Sequence, residues 1–398
     1  MINMGQSPAG ETYNAIGAGM PLINGPAEFG RLHPTAVQWT TAPTRVCKPN
    51  DILFCVRGNT TGRMNIADKE YCIGRGVASL RGITGRLDTS FLQYLLISKN
   101  HELYNIAKAG GSTFPNIGQS QLADLAVDIP ESLHEQRAIA NILETVQKAK
   151  EARQRELALE RERKAALMEH LFRHGTRGEP SKLAEIGEIP ESWKVVELGR
   201  IAKIGNGSTP KRSDERYWKA GTIPWITSTQ IHDVVIQHAN ELVTKTAREE
   251  CHLPLVPKGS VVVAITGQGK TLGNAALLAI DTCINQHLAY IQFERSSVQP
   301  EFALFYLQSK YDYLRGVALG GGSTKGALTC GFLKTMPVPV PSADEQSAIS
   351  GLLLACEKKC WCLERELSVL DEVFVAMLDE LMIGSLSAVP LIEEHQPQ

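Results

Sequence analysis

The feature that most constrains the fold is a long heptad repeat near the C-terminus that has a copy in the same chain. From Ile349 to Leu381 the apolar residues recur at alternating spacings of about four and three, the pattern that winds two helices together. A Glu-Gln-x-Ala-Ile motif opens this segment at Glu345 and also occurs at Glu135, and the two segments then continue without a gap. The chain is therefore predicted to pair two of its own long helices, over 132–174 and 342–383.

Apolar residues at the heptad positions form the predicted seam of this helix pair. They are Ile139, Leu143, Val146, Leu157, Leu167 and Leu171 in the first helix, and Ile349, Leu353, Leu363, Leu367, Leu370, Phe374, Met377 and Leu381 in the second. Cys356 and Cys360 fall on the same seam with no histidine nearby, which favours buried thiols over a zinc site. No metal site is expected.

The first helix carries charged residues where the second has apolar ones, within the run from Lys148 to Lys164. One interpretation is a solvated face with slightly shifted packing. The other is that an antiparallel partner places Glu364 and Glu366 against Lys150 and Arg153, which would set the helix register.

The duplication extends upstream of the helices. Residues Phe91 to Thr113 are echoed by Phe302 to Thr324, and Asp51 to Gly58 match Ser260 to Gly267. Each half has short strands broken by glycine and proline and one helix, near Thr89 to Lys108 and Gln299 to Leu314. The prediction is an α+β tandem repeat with these parts: domain 1 (1–131), helix 1 (132–174), linker (175–186), domain 2 (187–341), helix 2 (342–383) and a C-terminal tail (384–398).

Two further expectations concern the ends of these parts. Ser132 and Ser342 each precede a glutamate by three residues, Glu135 and Glu345, which predicts a capping box at both long helices. The first half also lacks the segment equivalent to 190–202. Either the start of the chain is misassigned, or the tail over 387–392 runs back to domain 1 and fills the gap.

Composition excludes some classes of protein. Apolar content of 43% and charged content of 21% are ordinary for a globular protein, and no run of about 18 apolar residues could span a bilayer. Nine cysteines without framework spacing, and no export signal, predict reduced thiols and a cytoplasmic location. The net charge of −2 argues against a nucleic-acid partner unless cations cluster locally.

The order of short motifs resembles that of the specificity subunit of type I restriction-modification systems. In the second half the motifs are Pro190-Glu-Ser-Trp193, Val195-x-x-Leu198-Gly199, Gly207-Ser-Thr-Pro210, Tyr217-Trp218, Gly221-x-Ile-Pro-Trp225, Gly320-Gly-Gly-Ser-Thr324, Pro337-x-Pro-x-Pro341 and Asp344-Glu-Gln346. In the first half Gly5-Gln-Ser-Pro8, Pro21, Gly110-Gly-Ser-Thr113 and His134-Glu-Gln136 answer them. No single motif is specific, but their repeated order covers nearly the whole chain.

This resemblance implies two target recognition domains held apart by two conserved antiparallel helices with pseudo-two-fold symmetry. Each domain would read one half of a bipartite sequence in double-stranded DNA, and the helices would set the gap between the halves. The subunit would be non-catalytic and hold no cofactor. It would dock two methyltransferase subunits, which methylate adenine, and restriction subunits, and S-adenosylmethionine, ATP and Mg would belong to those partners. Because the two domains differ in sequence, the half-sites should differ.

DNA contacts need cations and backbone amides for phosphates, and Arg, Lys, Asn or Gln for base edges. The candidates are loop residues at matching positions of the two halves. They are Arg57, Asn59, Thr60, Thr61, Arg63, Arg75, Gly110, Gly111, Ser112 and Thr113 in the first, and Lys211, Arg212, Thr266, Gln268, Lys270, Thr271, Gln286, Gly321, Gly322, Ser323, Thr324 and Lys325 in the second.

Other functions compete with this one. Residues 264–271 nearly match the phosphate-cradling loop G-x-x-x-x-G-K-[ST], but Ala264 replaces the first glycine and Gly273 weakens the required helix. The histidines, including His287, show no metal-ligand spacing and are assigned structural or surface roles. The remaining alternatives are the recognition subunit of another restriction or phage-defence assembly, and a coiled-coil scaffold that binds only protein.

Overall fold

The structure is a computed structural model that describes residues 1–109, 114–267, 269–293, 298–320 and 326–388. The chain divides into two compact units. Unit 1 contains Met1–Gln154 and Arg365–Gln398, and unit 2 contains Arg155–Glu364. Each long helix therefore contributes residues to both units.

The elements are numbered along the chain. Those of the first half are β1 (Ile2–Met4), β2 (Tyr13–Asn14), β3 (Met20–Ile23), β4 (Gln38–Thr40), β5 (Val46–Cys47), β6 (Ile52–Cys55), β7 (Met64–Ile66), β8 (Tyr71–Ile73), β9 (Val77–Leu80), α1 (Thr89–Ser98), α2 (Asn100–Ala109), α3 (Gln119–Ala123) and α4 (Leu133–His174). Those of the second half are β10 (Ser181–Ala184), β11 (Gly187–Pro190), β12 (Lys194–Glu197), β13 (Ala202–Asn206), β14 (Ile223–Ile226), β15 (Val235–Ile236), β16 (Glu241–Val243), α5 (Lys245–Glu250), β17 (Val261–Ala264), β18 (Ala275–Leu278), β19 (Cys283–Ile284), β20 (Leu288–Phe293), α6 (Pro300–Ser309), α7 (Tyr311–Gly320), α8 (Cys330–Thr335), β21 (Pro337–Val340) and α9 (Ala343–Met382).

Unit 1 combines two sheets with part of the helix pair. One sheet has the strand order β1-β9-β6-β7 and the other β2-β4-β3-β8-β5. Strand β6 is buried along its whole length, as its apolar sequence suggests. Helix α1 packs Phe91 and Tyr94 against Ile139 of α4 and Leu381 of α9, which fixes this domain on the helices.

Unit 2 has a larger core around a tryptophan. Its main sheets have the strand orders β13-β20-β17-β18-β15 and β16-β14-β19. Trp193 is fully buried together with Phe172 of α4, Phe302 of α6 and Ile349 of α9. The rings of Phe172 and Phe302 meet edge to face, with centroids 5.4 Å apart.

The single helix predicted in each domain is two helices, so that prediction was wrong in both halves. The breaks lie at Lys99, between α1 and α2, and at Lys310, between α6 and α7. Before each break a serine hydroxyl bonds back to the carbonyl three residues earlier, Ser98 at 2.9 Å and Ser309 at 2.6 Å. Such bonds compete with the continuing helix.

The long helices run antiparallel in unit 1, as the order of their charge pairs shows. Arg153 of α4 pairs with Glu366 of α9 at 2.8 Å, and Lys150, one turn earlier, pairs with Asp371. The expected contact between Arg153 and Glu366 is therefore confirmed. The side chain of Lys150 is largely buried along its aliphatic part, while its ammonium group reaches Asp371.

Unit 2 shows the same antiparallel order with other residues. Arg161 of α4 pairs with Glu364 of α9 at 2.6 Å, and Lys164, later in α4, pairs with Glu357, earlier in α9. The expectation that Glu364 faces Lys150 or Arg153 was wrong. The register of the helix pair places Glu364 opposite Arg161.

Burial along the seam is uneven. Buried members are Ile139, Leu143, Leu157, Leu171, Ile349, Leu353, Cys356, Cys360, Leu363 and Leu381, whereas Val146, Leu167, Leu367, Leu370, Phe374 and Met377 are half-buried. In unit 1 the ammonium of Lys150 lies 4.9 Å from the centre of the Phe374 ring. A cation thus covers an aromatic face where an apolar side chain would complete a regular seam.

A buried glutamine at the start of α4 joins this helix to its domain. The Gln136 side chain accepts a hydrogen bond from the backbone N–H of Asp88 (2.8 Å) and donates to the carbonyls of Arg86 (2.9 Å) and Pro130 (2.8 Å). Asp88 caps the N-terminus of α1, so the amide locks the start of one helix to the start of another.

The equivalent Gln346 makes the same connection in unit 2. Its side chain accepts from the N–H of Gln299 (2.7 Å), which precedes α6, and donates to the carbonyl of Pro341 (3.0 Å). The recurrence of the Glu-Gln motif therefore has a structural cause, because both glutamines satisfy backbone groups at the junction of domain and helix.

The predicted capping boxes are not formed by the glutamates. At α4, Ser132 Oγ accepts weakly from the N–H of Glu135, at 3.5 Å. At α9, the Glu345 carboxylate turns into unit 2, where it accepts from Trp193 Nε1 and from the N–H of Thr176, each at 3.1 Å. Trp193 Nε1 is a buried donor that needs an acceptor, and this need outweighs the local cap.

The two domains differ at their N-terminal ends. In unit 2, β12 pairs with β21, but in the first half the described residues 126–130, which correspond to β21, are not a strand. The tail reaches unit 1 at least as far as Ala388, which is buried with Phe91 and Ile139. The rest of the segment expected to fill this gap, 389–392, lies outside the described residues.

Candidate nucleic-acid interface

In unit 1, the loops that carry predicted DNA-contact residues meet at one edge of a sheet. Strand β9 lies antiparallel to both β1 and β6, with Met4 opposite Ala78 and Cys55 opposite Val77. The ends of β1 and β6 therefore lie beside the start of β9. This topology brings together loops 5–8, 56–63 and 74–76, a group we call the unit 1 loop edge.

Backbone hydrogen bonds hold these loops. The N–H of Gly5 donates to the carbonyl of Val77 at 2.9 Å, and the N–H of Val56 donates to that of Gly76 at 3.0 Å. A Cβ atom at Gly5 would lie 2.2 Å from the carbonyl oxygen of Gly74, so only glycine permits this approach.

The same arrangement recurs in unit 2. Strand β20 is antiparallel to both β13 and β17, which gathers the described loop residues 207–210, 265–267, 269–271 and 285–287 into a unit 2 loop edge. The N–H of Gly207 donates to the carbonyl of Leu288 at 3.4 Å, and that of Ile265 donates to His287 at 2.9 Å. A Cβ atom at Gly207 would lie 1.8 Å from the Ile284 oxygen.

A further loop reaches each edge from the side of the helices. Arg57 forms a bridge with Asn116, and Thr266 forms one with Ala327. Several predicted contact residues precede these bridges or lie in the loop after β17, outside the described residues. They are Gly110, Gly111, Ser112, Thr113, Gln268, Gly321, Gly322, Ser323, Thr324 and Lys325.

The unit 1 loop edge presents three exposed arginines, Arg57, Arg63 and Arg75. Within the part of the chain that the structure describes, no carboxylate forms an ion pair with any of them. Asn59 is exposed beside them and Thr60 is half-buried. The hydroxyl of Thr61 is instead used inside the loop, where it donates to the carbonyl of Gly58 at 2.7 Å.

The cations of unit 2 are not equivalent to one another. Lys270 and Lys211 are exposed. Arg212, by contrast, donates to both carboxylate oxygens of Glu241 and stacks over Trp218, with its guanidinium carbon 4.1 Å from the ring centre. Its hydrogen bond to Glu241 raises the pKa of Arg212, and the carboxylate neutralises its charge. Arg212 is thus the weakest phosphate candidate of the three.

A chain of side-chain hydrogen bonds crosses the unit 2 loop edge. Thr209 donates to the Gln286 oxygen, Gln286 Nε2 lies 3.2 Å from His287 Nε2, and His287 Nδ1 bonds to the Thr266 hydroxyl. Sequence reasoning found Gln286 and Thr266 but assigned His287 a default structural role and missed Thr209. Only the convergence of three loops reveals this chain.

Two other chemistries lack the geometry they need. The loop after β17 resembles a phosphate-cradling loop, but Thr271 is followed by a turn and then by strand β18, not by the helix whose N-terminus would hold a phosphate. Among the described residues, no group of His, Cys, Asp and Glu could hold a metal ion. Likewise, none of the described helices is long and apolar enough to span a bilayer.

The family model for the type I restriction modification DNA specificity domain matches this chain twice, over residues 41–161 and 190–368. The chain belongs to that family. The two matches fall on the two halves of the duplication, and each includes most of the loops described above. The resemblance seen in the sequence motifs is therefore confirmed.

Individual members of the family share both sequence and fold with this chain. The putative type I restriction enzyme MjaX specificity subunit of Methanocaldococcus jannaschii is 36% identical over 155 residues, which cover 39% of this chain and 36% of the relative. The MjaVIII specificity subunit of the same organism is 23% identical over 356 residues, 86% of this chain and 80% of the relative. The chain thus spans little more than a third of the length of the first of these relatives.

A solved structure supports the fold. The S subunit of a type I restriction-modification system from M. genitalium superposes with a TM-score of 0.64 at 19% identity, covering 96% of this chain and 93% of the other. The predicted α+β fold with two similar domains and two long antiparallel helices is confirmed.

Proposed function

We propose that this chain is the DNA-recognition subunit of a type I restriction-modification complex. Each loop edge reads one half of an asymmetric bipartite target in double-stranded DNA, and α4 and α9 set the unspecified gap between the halves. The single observation that carries the proposal is the recurrence, in both units, of the same glycine-held loop edge in a chain of the specificity-domain family.

Electrostatics supports DNA as the ligand despite the overall charge of −2. The described cations of α4 that face α9 are matched by carboxylates, as in the pair of Arg161 with Glu364. The arginines of the unit 1 loop edge have no such partner within the described residues. The unit 1 loop edge therefore carries uncompensated positive charge where phosphates would approach.

The chain itself is proposed to be non-catalytic. The family relatives are named as specificity subunits, which supports partner subunits that supply the chemistry. We propose two methyltransferase subunits and restriction subunits as these partners, with S-adenosylmethionine, ATP and Mg bound by them. Exposed faces of α4 and α9 offer the docking surface, because only one stripe of each helix is used in their pairing.

The test is the salt dependence of DNA binding by the full chain. If Arg57, Arg63, Arg75, Lys211 and Lys270 each neutralise one phosphate, log K should fall with log[salt] with a slope of about −4.5. The double variant Arg57→Ala/Arg63→Ala should reduce this slope to about −2.7 and weaken the half-site read by unit 1.

A matched control removes the same charge elsewhere. Arg161→Ala/Arg200→Ala deletes two exposed, ion-paired arginines and should leave the slope unchanged. A protein-only scaffold would show no steep salt dependence with any of these proteins, and that result would refute the proposal. Isolation of the chain without methyltransferase partners, together with unmethylated adenine in its target, would instead favour another defence assembly.

A further inference from the structure

The hydrogen-bond chain in the unit 2 loop edge leaves Gln286 with a defined set of unused hydrogen-bond donors and acceptors. A glutamine amide has two acceptor lone pairs on its oxygen and two N–H donors. Gln286 uses one acceptor position for the Thr209 hydroxyl and one donor for His287 Nε2. No other group among the described residues bonds to this exposed side chain, so one acceptor and one donor remain. Reversing the amide leaves the same count.

His287 connects Gln286 to Thr266, which lies in a third loop. Because its Nε2 accepts from Gln286, a neutral His287 carries its proton on Nδ1 and donates it to the Thr266 oxygen. Thr209 follows β13, Thr266 follows β17, and Gln286 and His287 precede β20. The amide is thus held from two sides by loops that the sheet itself brings together.

The remaining hydrogen-bonding pattern matches one base. In the major groove adenine offers a donor at N6 beside an acceptor at N7, which a glutamine amide can pair with both of its remaining groups. Guanine offers two acceptors, cytosine one donor and thymine one acceptor together with a methyl group. We infer that Gln286 reads an adenine in the half-site of unit 2, with Thr209 and His287 as positioning residues. This inference rests on the proposed DNA-recognition function.

Unit 1 provides an internal contrast. The residue equivalent to Gln286 is Arg75, which has donors only, and the equivalent of Thr209 is Ser7, whose hydroxyl accepts from the backbone N–H of Arg75 at 3.2 Å. An arginine does not match adenine in the same way. Changes at Gln286 should therefore alter one half-site and leave the other untouched.

The experiment is selection of bound sequences from a random double-stranded DNA library by the full chain, followed by affinity measurement with single-base variants of the selected site. Wild type should select an adenine at one position of the unit 2 half-site and bind it roughly 5- to 150-fold more tightly than other bases there. Gln286→Glu, which has acceptors only, should change this preference from adenine to cytosine. The unit 1 half-site should be retained, which also shows that the variant is folded.

A second pair of variants tests the positioning role. Thr209→Ser keeps the hydroxyl and should keep the adenine preference, whereas Thr209→Val is similar in size but cannot donate and should reduce it. An unchanged base preference in Gln286→Glu would overturn the inference, as would equal preferences in Thr209→Ser and Thr209→Val. If wild type selects no bipartite sequence, the proposed function fails and the inference falls with it. The first two results would leave that function intact.

Discussion

The buried glutamine of unit 1 allows a quantitative prediction. Gln136→Met has nearly the same length but removes hydrogen bonds to Asp88 N–H and to the carbonyls of Arg86 and Pro130. Each such bond contributes about 1 kcal/mol net, so we expect a loss of about 3 kcal/mol in the free energy of unfolding. Burial of the apolar methionine offsets part of the loss, and incompletely satisfied backbone groups add to it.

The assay is thermal and denaturant unfolding of the full chain, following the transition of unit 1. For a unit of this size, 3 kcal/mol corresponds to a decrease in Tm of about 6–12 °C. The matched control is Gln154→Met on an exposed position of the same helix, where the change should stay within about 0.5 kcal/mol. If Gln136→Met costs no more than this control, the amide does not lock the domain to the helix and the reasoning is refuted.

Three other perturbations test separate parts of the fold. Glu160 is buried, and its hydrogen bond to Arg163 lowers its pKa. Its contribution to stability is therefore present above the ordinary glutamate pKa of about 4.3 and is lost as the pH falls through the lower pKa of the folded state. Glu160→Gln should make Tm depend less steeply on pH in the acid range, and an unchanged slope would contradict this assignment. Trp193→Phe should destabilise unit 2 by about 1–3 kcal/mol in denaturant unfolding, because the buried Glu345 carboxylate loses a donor, and a neutral result would show that this hydrogen bond is not needed. Gly351 lies within α9 with open space around it, so Gly351→Ala should raise the unfolding free energy by about 1 kcal/mol, and a loss of stability would mean that its surface is required for packing.

The sequence by itself determined the repeated architecture. Heptad spacing, the duplicated Glu-Gln motif and the matching strand segments are local or periodic patterns, and each reports which residues are buried in a helix or a strand. Burial of an apolar stripe requires a partner, so two long amphipathic segments in one chain predict their own pairing. The candidate loops could be placed for the same reason, since they follow recognisable strands.

Tertiary structure alone decided which side chains meet. The register that sets Arg161 against Glu364, the ion pair that occupies Arg212, and the turn of Glu345 towards Trp193 join residues far apart in sequence. Hydrogen bonds and ion pairs depend on distances of a few tenths of an ångström and leave no periodic pattern in the sequence. The Gln286 amide is held in place because antiparallel strands of one sheet bring three separate loops to the same edge, and only the tertiary structure shows this.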